Sequence, residues 1–196
     1  MKIRIGVGAA GASATPGALG ELVTSIDELG FDSLWLSEVL TGPVLDPVVG
    51  LAWAAASNPR VKLGTTMLLP GRNVLRLAKQ LASLDVLCHG RLLVTLVPGL
   101  TYPPEREAIG VDPKRRGAFI DEALPLLRRL WAGETVTHEG PAGNLQGVRL
   151  TPCRSSARSK CGWAARCRPP SSGVAGSPTA GCRRCVRPTR PRPGGS

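Results

Sequence analysis

No stretch of the 196-residue sequence approaches the roughly 18 consecutive apolar residues that a membrane-spanning helix requires. Met1-Lys2-Ile3 is not followed by the apolar core and small-residue cleavage site of a secretory signal peptide. Cysteine is nearly absent until late: five of the six fall in the last 45 residues, so residues 1–151 do not form a disulfide-stapled secreted domain. Acidic residues are missing from Pro152 to Ser196, which carries ten basic ones, whereas Met1 to Thr151 holds 15 basic against 14 acidic. The formal charge of +11 therefore belongs almost wholly to the tail, and the first 151 residues are not a basic nucleic-acid-binding domain. The expectation is a cytosolic protein in two parts, 1–151 and 152–196.

What is present in the first part is an alternation of two periods. Ile3 to Gly8 is a short β-rich apolar run, and after it Leu19, Leu22, Val23, Ile26 and Leu29 mark one face of a helix. Thr15-Pro16 gives that helix its N-cap and first-turn signals, and Gly30 its stop. Phe31 to Leu36 reads as a second strand, Asp46 to about Asn58 as an Ala-rich helix, and Val61 to Leu69 as a third strand. Asn73 to Leu87 follows as a helix and Leu92 to Val97 as a fourth strand. After a proline-rich loop, Arg115 to Trp131 forms a helix with Phe119, Ile120, Ala123, Leu127 and Leu130 inward, and Thr135 to Leu150 a small hairpin. Strands apolar on both faces, each followed by a helix, predict an α/β fold of about four β/α units with a helix-covered parallel sheet.

The second part has a different composition. From Pro152 onward there are nine Arg, seven Pro, seven Ser, six Gly and five Cys, but no Leu, Ile, Met, Phe or Tyr. Ordering each residue costs roughly 1–2 kcal/mol of backbone entropy, and three apolar side chains worth about 1.5–3 kcal/mol each do not offset 45 of them. The tail is expected to be disordered.

Several motifs carry a functional and a plain reading. Gly6, Gly8 and Gly11 fit G-x-G-x-x-G after a strand, with Glu38 as a ribose-binding acid, which would make an NAD(P)-binding protein. The helix signal begins only at Thr15, however, and Glu38 lies 27 residues after Gly11 where about 20 is usual, so a plain βα loop is the competing reading. Cys161, Cys167, Cys182 and Cys185 could be drawn as a zinc site, but only the second pair has ligand spacing and no metal is expected. The tail arginines would bind acidic partners non-specifically, without reading a nucleic-acid sequence. His89 in a Cys-His-Gly turn and His138 in the hairpin read as turn and surface residues.

At Phe31–Glu38 (FDSLWLSE), Val61–Leu69 (VKLGTTMLL), Leu77–Gly99 (LAKQLASLDVLCHGRLLVTLVPG) and Arg115–Glu139, the sequence resembles the bacterial luciferase-like monooxygenase family. More narrowly it is similar to the branch that uses the deazaflavin coenzyme F420. The resemblance covers about residues 1–151 and implies a TIM-type (β/α)8 barrel, of which about four units are present. It implies hydride transfer between a flavin-type ring and a small-molecule substrate, or flavin-mediated oxygenation, with coenzyme F420 preferred over FMN. Ser37-Glu38 stands where the family has Ser-Asp-His, so Glu38 and Ser37 are the implied polar end beside the ring, with Val39 in place of the His. Thr66-Met67 stands at the family's non-proline cis peptide, on which the ring rests; without the family it reads as an ordinary buried strand. Thr95 to Gly99 stands where the family reads Gly-Val-Gly-Ala-Gly, which leaves Gly99 as the cofactor-facing glycine and replaces two others by Thr95 and Val97. A solvated acid is the plain reading of Glu38.

A relative would continue past Leu150 with its fifth to eighth strands. The tail's residue set is what GC-rich DNA encodes out of frame, and starting each codon at its third base permits a family-like reading that contains VWLGG and GRLADGW. One step is forced: Trp163 before Ala164 requires glycine in the shifted frame. The expectations are therefore a frameshifted tail and an incomplete barrel with strands one and four as exposed edges. Little or no cofactor binding is expected of this chain alone, and homo-oligomers would cover the edges.

Overall fold

A computed structural model of the chain describes residues 3–9, 15–99 and 102–154. The elements run β1 (Gly6–Gly8), α1 (Pro16–Glu28), β2 (Ser33–Ser37), α2 (Pro47–Ser57), β3 (Lys62–Leu68), α3 (Val74–Leu87) and β4 (Leu92–Val97). They continue with α4 (Pro103–Ala108), α5 (Arg116–Trp131), β5 (Thr135–Gly140) and β6 (Gly143–Arg149). Each predicted strand and helix has its counterpart, the first strand shortened from Ile3–Gly8 to Gly6–Gly8. An addition is α4, one and a half turns placed where a proline-rich loop was expected; none of its residues is buried, so it has no apolar period to read.

Each of the first three helices starts as its cap residue dictates. Thr15 Oγ1 accepts from the Ala18 N–H at 3.3 Å, Asp46 Oδ1 from Val48 and Val49 at 2.8 and 3.1 Å, and Asn73 Oδ1 from Arg76 at 3.0 Å. Such side chains satisfy N–H groups that the first turn leaves without an intrahelical partner.

β1 to β4 form one parallel sheet in the order β1-β2-β3-β4. Right-handed crossovers that always step the same way place every helix on one face, which is how a barrel winds. A dinucleotide-binding sheet reverses its order beside the first strand. Here β1 pairs with β2 alone among the described strands, so the NAD(P) reading of Gly6 and Gly8 fails on topology; Gly11 lies outside the described residues. Gly6 has another reason to be glycine: a Cβ there would come within 3 Å of Ser33 Oγ and the Trp35 ring.

The sheet has two unlike faces. Leu34, Leu36, Leu63, Met67, Leu92, Val94 and Leu96 join Leu19, Leu51, Leu77, Leu81 and Leu127 of the helices in one buried cluster. The alternate residues point away from the helices and are less covered: Trp35, Thr66, Leu93, Thr95 and Val97 are all intermediate in burial. Trp35 is laid over Gly64, whose missing side chain leaves room for the indole, and its Nε1–H donates to Ser33 Oγ at 3.0 Å.

The described chain continues past the expected boundary at residue 151. Pro152 follows a cis peptide bond, and Arg154 is buried under the N-terminal end of β4. Its guanidinium donates to the Leu92 carbonyl at 3.2 Å, pairs with buried Asp85 at 3.4 Å and sits 4.9 Å from the centroid of the Trp131 ring. Disorder from Pro152 therefore does not hold for these three residues, and the rest of the tail, 155–196, lies outside the described residues. Among the described strands β4 pairs with β3 alone, and Arg154 meets the Leu92 carbonyl at its start. At the other side of the sheet Ile3 and Ile5 are 73% and 54% exposed.

Candidate functional site

Strand pairing decides which residues meet. The registers Ser37↔Thr66 and Thr66↔Thr95 align three hydroxyl side chains in a row across β2, β3 and β4 on the helix-free face. This row lies near the C-terminal ends of parallel strands, where barrel sites form. Ser37 and Thr66 were expected there from sequence; Thr95 was expected only as a lost glycine.

Met67 is not part of that row. A one-residue step along a strand reverses the face, and Met67 is fully buried among the helices, paired in register with Leu96. The expected cis bond between Thr66 and Met67 is also absent: among the described residues the cis peptide is Thr151-Pro152. Thr66-Met67 continues the ladder in place of a bulge.

Glu38 is held too firmly to be a solvated acid. Its side chain is 3% exposed; Oε2 accepts from the Leu68 N–H at 2.8 Å and Oε1 takes an ion pair with Arg72 Nη2. Arg72 Nε in turn donates to the Leu68 carbonyl at 2.9 Å. Gly99 has φ +41°, and a Cβ on it would overlap the Leu68 side chain. Its carbonyl accepts from Arg116 Nη1 at 2.9 Å. Neither Arg72 nor Arg116 was singled out from sequence. Arg72 meets an acid 34 positions away, a separation with no local signature.

Two cavities adjoin this group. One, of about 610 Å³, is lined by Pro70, Gly71, Val111, Arg115, Arg116 and Phe119 among others; a second, of about 200 Å³, is lined by Glu38, Leu40, Leu68, Arg72 and Ile109 with the same Pro70-Gly71 turn. α4 crosses from β4 toward β2, where Glu105 Oε1 accepts from the Thr41 N–H at 3.0 Å and Thr41 Oγ1 at 2.6 Å. Gly71, at φ +82°, lets Ile109 and Val111 pack against the turn.

The histidines divide. His89 is exposed at φ +53° in its turn, as expected. His138 is half-buried and lies 2.6 Å from Glu122 Oε1, so the expectation of a simple surface residue misses its partner. The Ala142 N–H, at 3.0 Å from the same oxygen, and then His138 hold the Glu122 carboxyl below the usual range. No cluster able to hold a metal occurs among the described residues, and the four tail cysteines weighed for zinc lie outside them.

A parallel sheet wound one way, with polar side chains and a cavity at the C-terminal strand ends, defines a barrel-type scaffold. The model of the luciferase-like monooxygenase family matches residues 1–180, past the expected limit of 151, and the chain belongs to that family. It is 32% identical over 159 residues to an F420-dependent glucose-6-phosphate dehydrogenase of Kineococcus radiotolerans, an alignment covering 76% of this chain and 47% of the relative. The crystal structure of monooxygenase RslO1 from Streptomyces bottropensis superposes with a TM-score of 0.68 at 32% identity, over 77% of this chain and 50% of that one. The oxygenating constituent of 3,6-diketocamphane monooxygenase of Pseudomonas putida, solved with FMN, shares the fold at 21% identity and a TM-score of 0.65, over 74% and 43%. The chain spans about half the length of the curated relatives it matches.

Proposed function

We propose that the chain carries one side of the cofactor site of a flavin- or deazaflavin-dependent oxidoreductase, with coenzyme F420 preferred over FMN and a small molecule as substrate. The observation that carries this reading is the Ser37–Thr66–Thr95 row on the helix-free face. The preference for F420 is supported by the relative from Kineococcus radiotolerans. The site's chemistry fits the group in part. The three hydroxyls can donate to or accept from the polar edge of a planar heterocycle, and Trp35 offers a flat apolar floor beside them. Arg115 and Arg116 at the larger cavity suit the phosphate that both coenzymes carry. Glu38 does not fit as a ring contact, because both of its oxygens are taken.

The cofactor, when bound, supplies a hydride acceptor or donor, or activates oxygen. In a completed barrel this chain's residues would orient it: the hydroxyl row would hold the ring's polar edge, Trp35 would exclude water beside it, and the arginines would hold the anionic end. Such positioning converts a bimolecular step into an oriented one.

The chain by itself binds little or no cofactor in this reading. In support, the described sheet contributes four strands, half the eight of a closed barrel, and the relatives are about twice as long. The tail from Cys153 onward is assigned to a shifted reading frame, although the family match runs on to residue 180. Sequencing the coding DNA tests this: an uninterrupted frame that cannot encode VWLGG ends the frameshift. A gene corrected to the shifted frame should yield a product that binds F420 and catalyses its reduction as an added substrate is oxidised; failure of that product to bind either coenzyme would overturn the oxidoreductase reading. Salt-sensitive binding of the uncorrected chain to nucleic acid, without coenzyme binding by the corrected one, would favour a non-catalytic acidic-partner binder instead.

A further inference from the structure

Glu38 stands at the end of β2 where the resemblance implied a ring-facing acid, yet the carboxylate reaches along the strand ends. It holds three points of the neighbouring strand's exit: the Leu68 N–H directly, the Leu68 carbonyl through Arg72 Nε, and Arg72 itself through the ion pair. Leu68 is the last residue of β3, and its side chain fills the space that Gly99 leaves beyond β4. Gly99 is tied in turn to the start of α5 by Arg116. The carboxylate thus joins the ends of β2 and β3, Leu68 packing and Arg116 carry the contact on to Gly99 and α5, and the Pro70-Gly71 turn that walls both cavities hangs between Leu68 and Arg72.

We propose that Glu38, with Arg72, is a positioning residue that fixes the exit of β3 and so the shared wall of the two cavities, and does not itself touch the ring. The proposal rests on the cofactor reading for what the wall encloses, but not for the clamp. The geometry separates a positioning role from general support of the fold. Leu69 N–H donates to the Val97 carbonyl at 3.1 Å, closing the β3–β4 ladder beside the clamp, while Leu63 N–H donates to the Arg91 carbonyl at 3.2 Å at the far end of the same ladder. A residue that positions only the exit protects Leu68 and Leu69 and leaves Leu63 alone.

Amide hydrogen exchange of the 196-residue chain, read residue by residue, tests this without any coenzyme. Glu38→Ala should speed exchange at Leu68 and Leu69 by about tenfold and leave Leu63 within about twofold. Glu38→Gln keeps an acceptor for the Leu68 N–H and should hold that amide within about threefold of the wild type. If Glu38→Ala does not fold, Arg72→Gln gives the same reading, with Leu69 faster by about tenfold and Leu63 unmoved. Unchanged Leu68 and Leu69 exchange, equal acceleration at all three amides, or a Glu38→Gln variant as fast as Glu38→Ala at Leu68 would overturn the proposal. Because no coenzyme is present, these outcomes stand whether or not the cofactor reading survives.

Discussion

Arginine 154 gives the sharpest test of where the folded part of the chain stops. Its side chain is 3% exposed and that of Asp85 fully buried, so Arg154→Ala removes a buried counter-charge and leaves a carboxylate inside the protein. Removing one partner of a buried pair costs about 3–5 kcal/mol. Two features place the loss at the low end: Asp85 keeps a further interaction, and Arg154 Nε has no hydrogen-bond partner among the described residues. The contact with the Trp131 ring adds roughly 0.5–2 kcal/mol. A loss of about 3 kcal/mol is expected. With a urea m-value of about 2 kcal/mol/M, the unfolding midpoint should fall by about 1.5 M, followed by tryptophan fluorescence. A change below about 1 kcal/mol would mean that Arg154 is not packed as described, and the compositional break at 151 would then also be the structural one.

Three other expectations follow from particular contacts. Asp46→Ala strips the cap from α2, whose Oδ1 serves two N–H groups, and should cost about 1 kcal/mol in urea unfolding. Gly64→Ala drives a methyl group into the Trp35 indole and should cost about 1–3 kcal/mol and shift Trp35 emission; an unshifted spectrum would show the ring is elsewhere. Glu122 has a depressed folded-state pKa, so its contribution is present above the unfolded value and lost as pH falls through the folded one. Glu122→Gln should accordingly flatten the acid limb of stability against pH, and an unaltered limb would contradict the pairing with Ala142 and His138.

Much of the scaffold is legible because two periods dominate it. Leu63, Met67, Leu92, Val94 and Leu96 fall on one face by simple alternation, and Leu19, Val23 and Ile26 recur at helical spacing. The same alternation, applied to Thr66-Met67, separates a polar face from a buried one and assigns Met67 to the core. What stays hidden are pairings across distance. Glu38 and Arg72, Thr41 and Glu105, and Asp85 and Arg154 lie 34, 64 and 69 positions apart, and only folding brings them together. Arg154 shows why composition misleads at a boundary: in an arginine-rich run it resembles its solvated neighbours, yet packing against Trp131 and Asp85 makes it part of the core. α4 escaped for the opposite reason, having no buried residue to set a period.

The most direct test of the cofactor reading is a fluorescence titration of coenzyme F420 and FMN into the 196-residue chain and, in parallel, into the product of the frame-corrected gene. No saturable binding to the chain is expected up to about 1 mM, a free energy weaker than about 4 kcal/mol, against saturable binding to the corrected product, tighter for F420. Stoichiometric binding of either coenzyme by the chain alone would contradict it.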